Sequence, residues 1–429
     1  MKELLKSIVV RILTAEARIL LKRHQPIIVA ITGSVGKTST KDAIYMAIKN
    51  HISARKSEKS FNSDIGVPLT VLGLPNAWNN PLLWLRNIID GFLTAFFSRT
   101  YPEVLIIEAG IDRPGDMERL TKWLIPNIVV LTRLPEVPVH VEYFESPAAV
   151  VTEKMKLVHA MKPDGVLIYN HDDALIQSQL KEVLQLQVGF GRYLETDFMA
   201  REDKTVYKDD LPVGMKFTLV HNGERHKVTV EGTIGTQHVY SCCAALAVAN
   251  QLNINIVDAV TSLQSLQTPN GRMRLVRGIK GSVIIDDSYN SSPIAVEQAL
   301  QALHELTYAK RKIVVLGDML ELGKYSTDEH KRIGQLVPGM AQVLLTVGIR
   351  ARHIADGALS AGMDEAVIYQ YDDVLRAGRE LQTSLQPGDV VLVKASQGIR
   401  AEKIVEEVML EPEKAAAVLV RQDRAWDRR

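Results

Sequence analysis

The chain is poor in cysteine. Of 429 residues only Cys242 and Cys243 are cysteine, and they are adjacent. Neighbouring cysteines seldom bridge each other, so no disulfide framework is expected. No C-x-x-C pair exists to seed a structural zinc site. An excess of one charge is also missing. Lys and Arg number 51 against 50 Asp and Glu, a formal net charge of +1. That balance gives no electrostatic pointer to nucleic acid, and no nucleic-acid partner is expected. Long uncharged apolar runs are lacking too. "MKELLKSIVVRILTAEARILLKRHQP" is broken by Lys6, Arg11, Glu16 and Arg18, and "PLLWLRNIIDGFLTAFF" (81–97) by Arg86 and Asp90. Neither reads as a signal peptide or a spanning helix, so a reducing cytoplasm is the expected setting. There is no internal repeat and no low-complexity segment. The length allows two or three domains with proper cores.

What is present begins with an amphipathic helix over 1–25. Leu5, Ile8, Val9, Ile12, Leu13, Ile19 and Leu20 fall roughly on one helical face. The first reading is a helix packed on its own domain, the second a helix lying on a membrane surface. The stretch 81–97 reads first as a core or docking helix and second as an interfacial one. A peripheral contact with a membrane or a cell-wall enzyme through 1–24 or 81–97 stays open on these grounds.

Short apolar runs then alternate with helical patterns. "IIVAI" (27–31), "VLIIEAG" (104–110), "IVVLT" (128–132) and "VLIYN" (166–170) are separated by stretches such as "KTSTKDAIYMAIKN". That alternation predicts an α/β fold with a mostly parallel sheet. From about 186 to 234 the pattern predicts a small antiparallel patch with a hairpin turning at Asn222-Gly223. "LQTPNGRMRLV" reads as a domain junction. A second α/β series follows, with strands at "SVIIDDS", "KIVVLGD", "QVLLTVG", "AVIYQY" and "VVLVKAS". The expected organisation is a central P-loop NTPase-type domain over 26–268 and a C-terminal Rossmann-like α/β domain over 269–429. The tail reads as a helix with an exposed end.

The sharpest local signal is "ITGSVGKTSTKDAI" (31–44). An apolar strand enters Gly33-Ser34-Val35-Gly36-Lys37-Thr38-Ser39, and a helix follows. Glycines let backbone N–H groups approach phosphates, and the helix N-terminus adds its positive end. Lys37 would neutralise the terminal phosphates, and the Thr38 hydroxyl would sit on Mg²⁺. The usual G-x-x-x-x-G-K-[ST] spacing would need glycine where Ile31 stands. A Mg²⁺-triphosphate site also wants a carboxylate at a neighbouring strand end, and Glu108 in "VLIIEAGIDRPGDM" supplies one.

Taken in order, "GSVGKTST", "KSFNSDIGVPLTVL", "IIEAGIDRPGDM", "GRMRLVRG", "IIDDSYNSSP", "VVLGDMLELG" and "GDVVLVKASQGIR" resemble the Mur ligases of cell-wall synthesis. The likeness covers about residues 26 to 410. It accounts for Ile31, because that family's loop is the shorter G-x-x-G-K-[ST]. The resemblance implies an ATP-dependent amide-bond ligase acting through an acyl phosphate. ATP and two Mg²⁺ ions are the implied cofactors. A muramyl-peptide acid and D-alanyl-D-alanine are the preferred substrates, and a monomer is expected.

By the same resemblance, Lys154 of "TEKMKLVHAM" stands where the family's carbamylated lysine bridges the second metal. His140 matches its histidine ligand, although "TRLPEVPVH" is longer than the family's turn and lacks its glycine. Arg272 matches an arginine that reaches ATP phosphates, and Asp287 and Asn290 match residues near ribose and adenine. The family's His-Asn pair is shifted here to Gln237-His238, leaving His238 to meet the purine. Asn62 and Ser63 match the acid-substrate loop. Lys394, Ser396 and Arg400 match the amino-substrate segment, in which Ala395 and Gln397 replace a glycine and an arginine.

Only about 25 residues precede the first strand, so the family's separate UDP-gripping domain is not expected. Docking of the N-terminal helix in its place, a UDP-holding partner, or an acid without UDP would each accommodate that. Two rival readings stand beside the ligase: a Mur-type enzyme for another acid and amine, such as a polyglutamate-forming one, and a nucleotide-dependent scaffold without turnover.

Overall fold

The structure is a computed structural model describing residues 2–58, 61–78, 80–422 and 426, with side chains from Lys6 onward. Leu5 of the N-terminal apolar face, Lys59 and Ser60 of the "KSFNSDIG" motif, and most of the exposed tail end lie outside the described residues.

Two sheets organise the chain. The first contains β1 (Ile27–Thr32), β2 (Ala54–Lys56), β3 (Val104–Glu108), β4 (Ile128–Leu131), β5 (Val166–Asn170), β6 (Leu186–Gly191), β7 (Phe198–Lys208), β8 (Leu211–His221) and β9 (Glu224–Glu231). Its order is β2-β3-β1-β4-β5-β6-β7-β8-β9. The second holds β10 (Arg274–Arg277), β11 (Val283–Asp287), β12 (Arg311–Gly317), β13 (Val343–Val347), β14 (Ile368–Tyr371) and β15 (Asp389–Lys394), ordered β10-β11-β15-β12-β13-β14.

The apolar runs become strands buried on both faces, as a parallel sheet under helices requires. Successive residues alternate between two cores. Val29, Ile31, Ile106 and Val130 pack on one face of the first sheet, with the helices Lys37–Ile48 and Thr236–Gln251. Ile28, Ala30, Ile107 and Val129 pack on the other face, with Leu13, Ala17 and Leu20 of the helix Lys2–His24. Cys242 and Cys243 are fully buried in the Ala-rich helix, and burial pushes the Cys242 thiol up to about 12. Both are inert packing residues.

Three features depart from the sequence pattern. The antiparallel strands β7, β8 and β9 extend the parallel sheet rather than forming a separate patch, and β6, within the same stretch, pairs in parallel with β5. The hairpin does turn at Asn222 and Gly223, both at positive φ, which a type I′ turn requires. The short polar β2 gives no periodic signal. The junction segment contributes β10, paired antiparallel with β11.

The stretch 81–97 is a helix, Pro81–Phe97, capped by the Asn80 side chain. It is not a core helix. Its buried residues are Asn87, Gly91 and Ala95, and its leucines and phenylalanines face outward. The small residues let it lie against the helix Lys2–His24, whose Arg23 Nη1 donates to the Ala95 carbonyl at 3.3 Å. A Cβ on Gly91 would come within 2.2 Å of Glu16 Oε2. Among the described residues no helix is long and apolar enough to cross a membrane.

Glu16 is 6% exposed, and its Oε2 finds no hydrogen-bond donor among the described residues. Burial raises its pKa to about 7, so the folded chain holds a proton that the unfolded chain releases near 4.5. Stability should therefore fall as pH rises between those values. Glu16→Gln should raise the melting temperature by ~2–4 °C at pH 8, with the gain gone at pH 4. An equal gain at both pH values would show that the carboxyl does not titrate on folding.

Candidate active site

The strand order β3-β1-β4 opens a crevice at the carboxyl ends of the parallel strands, where such sheets take ligands. β1 runs into the glycine loop, and the helix Lys37–Ile48 leaves it. Gly33 has φ 136°, and a Cβ there would meet Thr132 Oγ1 at 2.1 Å. No side chain fits. Ser34 N donates to the Arg133 carbonyl at 2.8 Å, and Thr132 Oγ1 donates to the Val35 carbonyl at 2.7 Å. The loop is thus pinned to the segment after β4.

Two lysines, Lys154 buried and Lys37 half-buried, converge on one acceptor. Lys37 Nζ donates to the Gly33 carbonyl at 2.9 Å, and Lys154 Nζ donates to the same oxygen at 3.1 Å. Lys154 comes from the helix Pro147–His159 and is 3% exposed. Burial, and then the neighbouring Lys37 charge, hold its pKa well below the ordinary lysine value, while Asp112 opposes the shift. Lys37 is lowered by burial too, with Glu108 opposing. Two ammonium groups this close repel, and losing one proton relieves the pair. Lys154 is the one pushed further toward the neutral amine.

Beside them, Thr38 Oγ1 donates to Glu108 Oε2 at 3.1 Å. Lys41, 2% exposed, has its Nζ 4.0 Å from that carboxylate. His140 sits at φ 70° in the loop after β4. Its Nδ1 lies 2.7 Å from Glu321 Oε2, and its Nε2 lies 3.7 Å from Asp112 Oδ1. Glu321 belongs to the "LGDMLELG" loop after β12, so this pair links the two sheets' loops. The His140 imidazole holds the Glu321 carboxyl below its ordinary value.

A cleft of about 320 Å³ brings most of the expected residues together. Ser34, Val35, Gly36, Lys37, Thr38 and Ser39 line one wall, with Asn62, Glu108 and His140. His238, Arg272, Asp287, Asn290 and Lys394 line the other. His238 is buried at the start of its helix, and its Nε2 has no partner among the described residues. Burial lowers its pKa to about 4. It is a neutral imidazole at physiological pH, able to donate to or accept from a ligand edge. The Arg272 guanidinium lies 4.2 Å from the Tyr289 ring centroid, which fixes its approach.

Other residues take different positions. Lys394 Nζ is bound to Asp287 Oδ2 at 2.6 Å and to the Asn290 carbonyl at 2.9 Å. It therefore lies with the Asp287 and Asn290 group. Ser396 is buried, and its Oγ accepts from Leu320 N at 2.9 Å, bracing the Glu321 loop. Arg400 donates to Glu402 and to the Trp426 carbonyl. Neither Ser396 nor Arg400 lines the cleft. Ser63 lines an adjoining cleft of about 560 Å³, which also holds Asn62, Lys6, Arg11, Arg113 and Arg119.

Sequence reasoning passed over Asp112, Tyr289 and Glu321. Asp112 and Tyr289 stand inside motifs that were read for their neighbours. Glu321 also stands inside a quoted motif, "VVLGDMLELG", but its pairing with His140 joins segments remote in the chain.

Comparison with known proteins follows this geometry. The Mur ligase middle domain matches residues 87–249, and the Mur ligase glutamate ligase domain matches residues 271–397. The chain is 28% identical over 388 residues to the UDP-N-acetylmuramoyl-tripeptide--D-alanyl-D-alanine ligase of Bacillus subtilis, spanning 90% of this chain and 76% of that protein. It is 29% identical over 388 residues to the protein of the same name from Mycobacterium tuberculosis, spanning 86% and 70%. The crystal structure of MurF ligase from Thermotoga maritima in complex with ADP matches with a TM-score of 0.77 at 26% identity, covering 95% of this chain and 85% of that one. Both domain matches, these relatives and the shared architecture agree: the chain belongs to the Mur ligase family of ATP-dependent, ADP-forming ligases.

Proposed function

We propose that the chain joins D-alanyl-D-alanine to the carboxylate of a muramyl peptide in peptidoglycan precursor synthesis. The relatives named above carry that activity in their names. The observation that carries the reading is the convergence of Lys37 and the buried Lys154 on the Gly33 carbonyl, with Lys37, Thr38 and Glu108 lining the cleft that Asn62 and Arg272 share. The substrate carboxylate attacks the γ-phosphorus of ATP, and the bond to the bridging oxygen breaks to release ADP. The amine nitrogen then attacks the acyl carbon. The tetrahedral intermediate expels inorganic phosphate, and the amine loses a proton.

Each step concentrates negative charge, so the demand is for fixed positive charge in a site shielded from water. Lys37 and the loop N–H groups serve the β- and γ-phosphates, with Arg272 on the phosphates from the opposite wall. His238 meets the purine, and Asp287 and Asn290 serve the ribose side. Asn62 and Ser63 hold the acid. Lys394 acts by orienting Asp287.

Thr38 and Glu108 offer the hard oxygens that Mg²⁺ prefers, and they already lie within hydrogen-bond distance of each other. Mg²⁺ held there would neutralise phosphate charge. His140 is the nearby imidazole for a second ion. Lys154 fits a carbamate, because a neutral amine can add carbon dioxide and release a proton, and burial favours that neutral form.

Lys37→Ala should lower substrate-dependent phosphate release by roughly a hundredfold or more; activity within a few-fold of wild type would remove Lys37 from the phosphate site. Lys154→Ala should be similarly impaired and regain part of its rate with added formate or acetate, while ¹³C-bicarbonate should give a carbamate signal in the parent chain only. Full activity of that variant rules out the carbamate. Phosphate release measured over a matrix of acids and amines should peak with a muramyl tripeptide and D-alanyl-D-alanine. A maximum with a folate and glutamate would replace this substrate assignment.

A further inference from the structure

The helix Pro81–Phe97 packs Trp84 and Ile88 inward and turns most of its other large apolar side chains outward. At ~100° per residue, Leu82, Leu85, Ile89, Phe92 and Phe96 fall on one arc. That arc faces away from the protein, with Leu82 79% and Leu85 56% exposed. The Phe92 and Phe96 rings lie in tilted contact, 4.7 Å between centroids. The helix's charges, Arg86 and Asp90, are paired at 3.2 Å and lie off this arc.

The neighbouring helix Lys2–His24 continues the surface. Ile8, Ile12 and Ile19 are exposed on the side that turns toward Gly91 and Ala95. On the flank away from the helix Pro81–Phe97, Arg11, Arg18 and Lys22 fall on one exposed arc. From Lys6 to His24 the one carboxylate is Glu16, which is buried. An apolar face therefore lies beside a strip of cations.

We propose that this two-helix face docks on the surface of an anionic phospholipid bilayer. The apolar arc would enter the acyl boundary, and the cations would meet headgroup phosphates. The charge pattern selects this occupant over a second copy of the chain. A self-complementary contact would bring one cation strip against another, and among the described side chains of the two helices the one solvent-reaching carboxylate is Asp90, which Arg86 already holds. Trp78, 52% exposed just before the helix, supplies an aromatic of the type found at headgroup depth. Docking would be peripheral, because no described helix can span.

The test is flotation of the full chain with vesicles of phosphatidylcholine alone or mixed with phosphatidylglycerol. Binding is expected to the mixed vesicles, at least tenfold weaker to phosphatidylcholine, and reduced by raised salt. The double variant Phe92→Asp/Phe96→Asp changes exposed side chains only, and should lose at least tenfold while keeping the parent's melting temperature. Arg18→Glu/Lys22→Glu should lose a comparable factor. Failure of the parent chain to float with mixed vesicles at low salt overturns the proposal. So does binding that survives the phenylalanine substitutions, or light scattering that shows a dimer abolished by them.

Discussion

Everything in the candidate site hangs from the carbonyl of Gly33. The residue must be glycine, because its φ of 136° and the Thr132 hydroxyl leave no room for a Cβ. In that conformation the carbonyl is within reach of both Lys37 and the buried Lys154. Moving the loop would leave the Lys37 ammonium and the buried Lys154 amine without their shared acceptor, a larger cost than losing one exposed hydrogen bond. The loop is held in part by the same Lys37 that a phosphate would engage. Burial lowers both lysines, and their mutual repulsion lowers Lys154 further. A polyanion bound beside Lys37 would offset that burial by favouring the charged lysine.

The second sheet supplies the opposite wall by similar means. Asp287 at the end of β11 is locked by Lys394 at the end of β15, and both are nearly buried. Met273 N also donates to Asp287 at 3.2 Å, so the Arg272 segment is tied to the same carboxylate. Breaking such a pair leaves a buried charge alone, which is strongly destabilising. The wall is stiff for that reason. The contact between the two walls is of another kind. His140 meets Glu321 with both partly exposed, 22% and 39%. A solvated pair of that sort is weak and makes and breaks easily. It suits a junction that must open for substrates.

How much of this was legible in the sequence depends on the range of the cause. The strand runs were plain because a strand covered on both faces must be apolar throughout, as "IIVAIT" and "VLIIE" are. The phosphate loop was plain because its backbone requirement is local. The antiparallel extension of the first sheet was blurred, since hairpin patterning tells which strands pair and says little about what edge they join. Ser396 and Arg400 were matched by motif position, and the fold turned them toward a loop brace and the C-terminal tail. The His140–Glu321 contact spans both halves of the chain, and no window of sequence can hold it.

The helix Pro81–Phe97 shows a different limit. Its periodicity was readable, but periodicity has no inside or outside. A core helix and a surface-seeking helix display the same apolar arc. What distinguishes them is the opposite arc, which in a core helix carries charge and here carries Asn87, Gly91 and Ala95, flanked by the half-buried Trp84 and Ile88. Small residues there permit close approach to the helix Lys2–His24, and that approach is what encloses Glu16. One arrangement thus raises a carboxyl pKa, uses up the helix's inward side, and leaves the large apolar side chains facing solvent. Reading the small residues first would have oriented the helix from sequence alone.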